Sequence, residues 1–335
     1  MTKKNTVPIV LDAHYDLLMD VLLFRLRGER SVLERRFLPD LRAGGVNALV
    51  CSVFIDDAYV PEGALRNALD QISAFYADLE DSPSFMLCKS ARECREAAAS
   101  GKIAMFLSLE GAEPLGRDLL LLDIFYRLGV RMLGLAWSRR NYACDGISFL
   151  PRTAGSFEGS LTDFGRELVC RAMALGMIID VSHLNDAGIS EIAEMTDAPY
   201  IASHSNCRAL CASPRNLSDA QMKELAAHGG VMGMNAFGPF AASGREERNA
   251  EALLKHLDRV VRICGAAHAG LGFDLCSGLE ALKAGYSPDG DTDLFASHAE
   301  ARAKFIDEVR ARYTEEEAAA ILGENFMRVI DAVLK

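Results

Sequence analysis

The sequence predicts an α/β fold, a single (β/α)8 TIM-like barrel over residues 1–335. Three observations carry this. Eight short runs rich in β-branched and aliphatic residues alternate with longer helical patterns, which implies a parallel sheet covered by helices. Several of the runs are nearly continuous apolar segments, as strands buried on both faces are. The polar residues that interrupt them fall at their C-terminal ends, the face on which a barrel carries its catalytic groups.

In chain order the runs are Ile9 to His14, Val46 to Phe54, Ile103 to Glu110, Val130 to Trp137, Met177 to His183, Tyr200 to His204, Val231 to Phe237 and Ala269 to Asp274. Between them, Leu65 to Leu79 and Phe164 to Leu175 carry apolar residues at spacings of three and four, the period of an amphipathic helix. Ser218 to Ala227 follows a Ser/Asp start. Thr314-Glu315-Glu316-Glu317 reads as a capping box opening a C-terminal helix over 314–335, with an apolar stripe from Ala318 to Leu334. Ser138 to Ser160, Gly238 to Ala250 and Ser277 to Asp293 show no clear period and are expected as long loops over one barrel face. No linker or shift in composition divides the chain, so one domain is expected.

Composition bounds the function without naming it. With 50% hydrophobic and 25% charged residues the chain can bury an ample core. Its 47 acidic against 36 basic residues give a net charge of −11, a field that repels phosphate backbones and anionic lipid surfaces, so neither a nucleic acid nor a membrane is an expected partner. The first residues, MTKKNTVPIVLDAHYDLL, hold no uninterrupted signal-peptide core because Pro8, Asp12, His14 and Asp16 break it, and no later apolar run reaches the ~18 residues of a membrane span. The nine cysteines are scattered, odd in number and mostly set in apolar patterns such as that around Cys51. A reduced, cytoplasmic protein is the expectation. Cys207 and Cys211 would share one helical face, but no second pair completes a soft metal site, so core packing is expected for both.

The chemistry lies at the strand ends. His14 and Asp16 close the first run, Glu110 the third, His183 the fifth, His204 the sixth and Asp274 the eighth. A lone histidine after a strand is ordinarily a hydrogen-bonded structural residue; six metal-competent side chains on one rim are harder to explain that way. Imidazole with carboxylate suits Zn²⁺ or a similar borderline ion, whereas an all-oxygen set would suit Mg²⁺ or Ca²⁺. In an extended segment the i and i+2 side chains point the same way, so His14 and Asp16 can reach one ion while Tyr15 faces elsewhere. Glu110 has two oxygens and can bridge. With His14 and Asp16 on one side and His183 and His204 on the other, a two-metal site follows, with zinc favoured. His228, His256, His268 and His298 are expected to be structural or surface residues.

The segments LDAHYDLL, LRAGGVNALVCSVF, SLEGAEPL, GMIIDVSHLND, IASHSNCRALCASPRN, HGGVMGMNAF, HAGLGFD and ILGENFMRV together resemble the membrane dipeptidases of the renal dipeptidase type, a zinc peptidase family of the amidohydrolase-like superfamily. The resemblance spans nearly the whole chain. It implies a metal-dependent barrel that hydrolyses dipeptides, often with a D-residue at the C-terminal side. It further implies that His14, Asp16 and Glu110 hold one zinc, that Glu110, His183 and His204 hold the second, that Arg215 binds the substrate's terminal carboxylate, and that Asp274 shuttles protons. The chemistry agrees with each role. Two zinc ions bring a bridging water to near-neutral pKa, giving a hydroxide able to attack the amide carbonyl. A rim carboxylate can take that proton and pass it to the leaving amine, and the planar fork of arginine matches a carboxylate.

Two departures bear on substrate. Where many members of the family read Thr-His-Asn after the fourth strand, this chain reads Ala136-Trp137-Ser138, so the histidine that would polarise the carbonyl is absent. The Trp137 indole N–H, Arg139, Arg140 or Asn141 are the alternative donors; a missing oxyanion donor typically costs about 10² to 10³ in rate. After Asp274 the usual Phe-Asp-Gly is replaced by Leu275-Cys276-Ser277-Gly278, and Phe240 stands where a tyrosine is usual. Trp137 and Phe240 are therefore taken as substrate-binding positions. Two alternatives stay open: an amidohydrolase acting on N-acyl amino acids or lactams, and a barrel that keeps its metals and binds without turnover. Intact Asp274 and Arg215 argue against the second. The Gly270-Leu271-Gly272 run resembles a phosphate loop only loosely and is expected to serve strand packing. A homodimer is compatible with all of these readings.

Overall fold

A computed structural model describes residues 7–148, 159–275 and 293–335. Its sheet has nine parallel strands: β1 (Leu11–Tyr15), β2 (Ala48–Phe54), β3 (Phe85–Leu87), β4 (Ile103–Glu110), β5 (Val130–Gly134), β6 (Ile178–Asp180), β7 (Ile201–Ser205), β8 (Val231–Met234) and β9 (Ala269–Leu271). They run in the order β2-β1-β9-β8-β7-β6-β5-β4-β3, and β2 also pairs with β4. That pairing closes eight of them into a ring, the (β/α)8 barrel the sequence predicts, and each predicted run supplies one ring strand.

The ninth strand, β3, escapes the sequence reading because three residues are too few to show a period. It pairs with the first half of β4 only, from Phe85↔Ile103 to Leu87↔Met105. From Leu107 onward β4 pairs with β5 instead, with a register shift between Leu107 and Ser108. Several ring strands also stop short of the predicted runs. β5 ends at Gly134 rather than Trp137, β6 at Asp180 rather than His183, and β9 at Leu271 rather than Asp274. In each case the chain leaves the ladder as it reaches the rim. Pairing is thinnest at two places: β6 meets β7 only at Asp180↔Ile201, and β9 meets β1 only at Asp12↔Leu271, with an isolated bridge Tyr15↔Leu275 above it.

Helices Ala64–Glu80, Asp163–Leu175 and Asp219–Ala227 follow the predicted spans closely, the last opened by a capping box between Ser218 and Gln221. The capping box of Thr314 with Glu317 is formed. The C-terminal segment is nevertheless not one continuous helix: Glu315–Ala319 and Asn325–Val333 flank a π turn, Ala320–Glu324. A Cβ on Gly323 within that turn would meet the Ile9 carbonyl oxygen, so the turn lies against the chain leading into β1. The expected loop Gly238 to Ala250 contains a short helix, Gly238–Ala241. Residues 277–292 of the expected third loop, and 149–158 of the first, lie outside the described residues.

Apolar packing fills the end of the barrel opposite the rim. Leu11, Ala13, Ala48, Val50, Phe106, Met132, Ile178, Ile201 and Val231 form a buried cluster with Phe326, Met327, Val329 and Ile330 of the last helix. A larger cluster fills the layer between ring and outer helices. Among the described residues no helix is long and apolar enough to cross a membrane.

Candidate active site

The ring brings all six predicted rim residues together. His14 Nε2 lies 3.5 Å from Asp16 Oδ1, 3.4 Å from Glu110 Oε2 and 3.9 Å from Asp274 Oδ1. The other carboxylate oxygen of Glu110, Oε1, lies 3.1 Å from His183 Nε2 and 3.7 Å from His204 Nε2, and those two nitrogens are 2.9 Å apart. Glu110 therefore faces His14 with one oxygen and the His183/His204 pair with the other. Ligand-capable atoms of His14, Glu110 and His204 lie within 4.8 Å of one another, as do those of His14, Asp16 and Asp274. His14 thus neighbours both groups.

The residues fit a divalent cation. His14 Nε2 and Glu110 Oε2 are buried and have no hydrogen-bond partner among the described residues, an arrangement that costs about 1–3 kcal/mol per group unless something pairs with them. The donor set mixes imidazole nitrogen and carboxylate oxygen, the chemistry of a borderline ion. Burial pushes the His14 pKa down, but Glu110 and Asp16 beside it outweigh that and hold it well above the usual histidine value. Burial, reinforced by the Arg215 and His14 charges, pushes His183 and His204 well below it, so both present neutral rings. Burial likewise raises the Glu110 carboxyl, against the pull of His14.

Local backbone explains why the strands end early here. His183 (φ 70°) and Asp274 (φ 59°) both sit in the left-handed region, which costs a non-glycine residue roughly 1–3 kcal/mol. Each turns its side chain back over the rim. The surrounding contacts compensate: the His183 carbonyl accepts from Ile147 N–H at 2.8 Å, and Asp274 N–H donates to the His14 carbonyl at 3.2 Å.

A layer of polar groups behind the rim orients these side chains, and sequence reasoning missed it. Ser52 of β2 donates to Asp16, Ser138 Oγ lies 2.9 Å from His183 Nδ1, Ser203 Oγ lies 2.6 Å from His204 Nδ1, and Asn235 Nδ2 donates to Asp274 Oδ2 at 3.0 Å. Asp12 Oδ1 accepts from the backbone of His14 (3.3 Å) and Phe273 (2.9 Å). The available signal was Asp12 in IVLDAH and Asp180 in MIIDVSH: a carboxylate inside a run expected to be buried on both faces needs donors of its own.

Arg215 is buried beside the cluster. Its Nη1 donates to Ser205 Oγ and its Nη2 to the His204 carbonyl, both at 2.8 Å, and Nε has no hydrogen-bond partner among the described residues. Burial lowers its pKa to about 10. The guanidinium lies 5.8 Å from the centre of the Phe240 ring. Trp137 stands 5.1 Å from the Phe54 ring and 5.9 Å from the His183 ring. The three donors weighed beside it are engaged elsewhere: Arg139 with Glu113, Asp57 and the Ile55 carbonyl, Arg140 with Asp145, and Asn141 Nδ2 with the Leu135 carbonyl. Cys276, Ser277 and Gly278 lie outside the described residues.

Three of the remaining histidines have their partners away from the cluster: His228 bonds the Glu224 carbonyl, His256 the Ala241 carbonyl and His268 the Gly230 carbonyl, whereas His298 bonds the Asp12 carboxylate of the layer behind the rim. Cys207 and Cys211 are both buried and go to separate partners, Met222 sulfur and the Pro239 carbonyl.

Known proteins resemble this chain over nearly its whole length. The family profile for membrane dipeptidase (peptidase family M19) matches residues 5–335. An uncharacterised protein of Klebsiella pneumoniae from the pqqA 5′ region is 36% identical over 200 residues, 56% of this chain and 70% of its own length. The crystal structure of a metallopeptidase, dipeptidase AC of family M19, superposes with a TM-score of 0.83 at 28% identity, covering 98% of this chain and 99% of that one. A metallopeptidase from Rhodobacter sphaeroides, solved with a phosphinate mimic of the dipeptide L-Ala-D-Ala, gives a TM-score of 0.84 at 26% identity, covering 98% of this chain and 100% of that one. With the profile matched over nearly its entire length and the same barrel in both solved relatives, this chain belongs to the membrane dipeptidase family, peptidase family M19, and is a metallodipeptidase.

Proposed function

We propose that the protein hydrolyses the amide bond of small dipeptides, L-Xaa-D-Xaa among them, at a site where His14, Asp16, Glu110, His183 and His204 hold two zinc ions with Glu110 between them. One observation carries the reading: the two oxygens of Glu110 face separate sets of ligand-capable atoms, Oε2 toward His14 and Oε1 toward His183 and His204. When bound, zinc supplies Lewis acidity to the scissile carbonyl and acidifies water to near-neutral pKa.

The chain's own groups do the rest. Asp274, held at Oδ2 by Asn235, turns Oδ1 toward His14 and is placed to take the proton of the attacking water at that atom and return it to the leaving amine. Arg215, anchored through Nη1 and Nη2, keeps its Nε–H for the substrate's terminal carboxylate. Trp137 beside His183 and Phe240 beside Arg215 offer apolar surface to the site, which excludes water and favours uncharged side chains. The phosphinate mimic of L-Ala-D-Ala bound by the Rhodobacter sphaeroides relative supports a D-residue at the C-terminal side.

A second reading is an amidohydrolase of N-acyl amino acids, favoured by Trp137 in place of a polar donor, with Arg139, Arg140 and Asn141 all engaged elsewhere. Zinc analysis of the purified protein with a panel of L,L and L,D dipeptides and N-acyl amino acids tests both. Two ions per chain and release of free amino acids from dipeptides support the first; one ion or none with no release sinks it. Turnover of N-acyl substrates alone selects the second.

A further inference from the structure

Strands β6 and β7 share a single ladder register, and the Asp180 side chain spans the junction beside it. Its Oδ1 accepts from the backbone N–H of Ser182 at 3.0 Å on its own side and of Ser203 at 2.9 Å across the junction. Its Oδ2 accepts from the Ser203 hydroxyl. The same hydroxyl oxygen lies 2.6 Å from His204 Nδ1. All of these groups are buried. The Ser203 backbone has no room to drift, because a Cβ on either Gly233 or Gly272 would meet its carbonyl oxygen.

Counting protons fixes the direction of this chain. A serine hydroxyl carries one hydrogen, and a carboxylate can only accept. With the Ser203 proton on Asp180, the contact to His204 is a hydrogen bond only when Nδ1 carries the imidazole proton and donates it. A neutral ring protonated on Nδ1 has its lone pair on Nε2. That atom is the one 3.7 Å from Glu110 Oε1 and 2.9 Å from His183 Nε2. His183 lacks such a relay: its Nδ1 faces Ser138, which has no carboxylate behind it among the described residues.

We propose that Asp180 is a positioning residue which, through Ser203, fixes His204 as the Nδ1–H tautomer and aims its Nε2 lone pair into the metal site, while the same carboxylate joins β6 to β7. The effect on metal rests on His204 being a ligand, as proposed above; the tautomer does not.

The test uses the full chain. Long-range ¹H–¹⁵N NMR of the metal-free protein reads the His204 tautomer, with the resonance assigned by its loss in His204→Gln, and chelator competition reads zinc affinity. Wild type is expected to show Nδ1–H. Ser203→Ala, which leaves the Asp180 Oδ1 bonds intact, is expected to mix the tautomers and weaken zinc binding by about 10- to 100-fold, the usual cost of losing an outer-shell partner. Ser203→Thr restores both. Asp180→Asn keeps an acceptor for the two backbone N–H groups but turns an amide N–H₂ toward Ser203, which redirects the serine proton to His204 Nδ1 and switches the ring to Nε2–H. An Nε2–H ring in wild type overturns the proposal. So does a Ser203→Ala protein that keeps the wild-type tautomer and zinc affinity, whether or not Asp180→Asn folds. A wild-type protein that binds no zinc overturns the metal reading, and the NMR result then still decides the relay.

Discussion

His14 Nε2 and Glu110 Oε2 face each other across 3.4 Å in the barrel mouth, both buried and neither hydrogen-bonded. Two such atoms confronting one another mark a place built around a cation. Glu110→Gln keeps the shape and removes the charge. Its zinc affinity is expected to fall by more than the roughly 10- to 100-fold that an outer-shell loss costs, and its activity with it. Wild type should gain thermal stability as zinc is added, about 2.7 kcal/mol at 100 times the dissociation constant, and Glu110→Gln should lose that gain. Melting temperature against zinc concentration checks both; equal curves would contradict the assignment.

Arg215 holds the His204 carbonyl and Ser205 while leaving Nε unpaired. Arg215→Lys retains the charge without the fork. A charge-assisted hydrogen bond contributes about 1.5–3 kcal/mol, so kcat/KM for free dipeptides should drop by roughly 10- to 100-fold, mostly in KM. Dipeptide amides, which lack the terminal carboxylate, should lose little. A parallel fall for both substrates would show that Arg215 acts through the His204 backbone instead.

Asp274 is the rim carboxylate steadied by Asn235 rather than by a backbone ladder. Asp274→Asn should lower kcat by about 10² to 10⁴ while the zinc content stays at the wild-type level. Asn235→Ala should give a smaller loss of the same kind. Steady-state kinetics with metal analysis on the same samples separates proton transfer from metal loss.

His298 is fully buried, its Nε2 2.9 Å from Asp12 Oδ2 and its Nδ1 3.4 Å from Asp40 Oδ2. Burial opposes its charge, but the hydrogen bond to Asp12 and the nearby Asp40 carboxylate prevail and raise its pKa from 6.5 to about 9. The native state therefore holds a proton that the unfolded chain releases above pH 6.5. Its stabilisation, on the order of 3 kcal/mol, is fully present below pH 6.5 and is lost as pH rises through about 9. Melting temperature should decline over that window in wild type and decline less in His298→Gln, which starts lower at neutral pH.

Much of the barrel was legible because its ring strands are buried on both faces and so appear as apolar runs, and the six rim residues were legible because each ends such a run. What escaped has physical reasons. Phe85–Leu87 is too short for a period, and its pairing depends on β4 changing partner midway. The left-handed turns at His183 and Asp274 follow from contacts with Ile147 and His14, residues far away in sequence. Ser52, Ser138, Ser203 and Asn235 are small polar residues that fit almost anywhere, and only the folded register sets each against the side chain it orients.

The two thinly paired junctions, β6 with β7 and β9 with β1, have a mechanical meaning. They cut the hoop into an arc of five staves, β1, β2, β4, β5 and β6, and an arc of three, β7, β8 and β9. His14, Glu110 and His183 stand on the first arc, His204 and Asp274 on the second. An ion held as proposed, by His14 and Glu110 from one arc and His204 from the other, would be a rivet as well as a reagent, tying the two arcs across their thinnest seams.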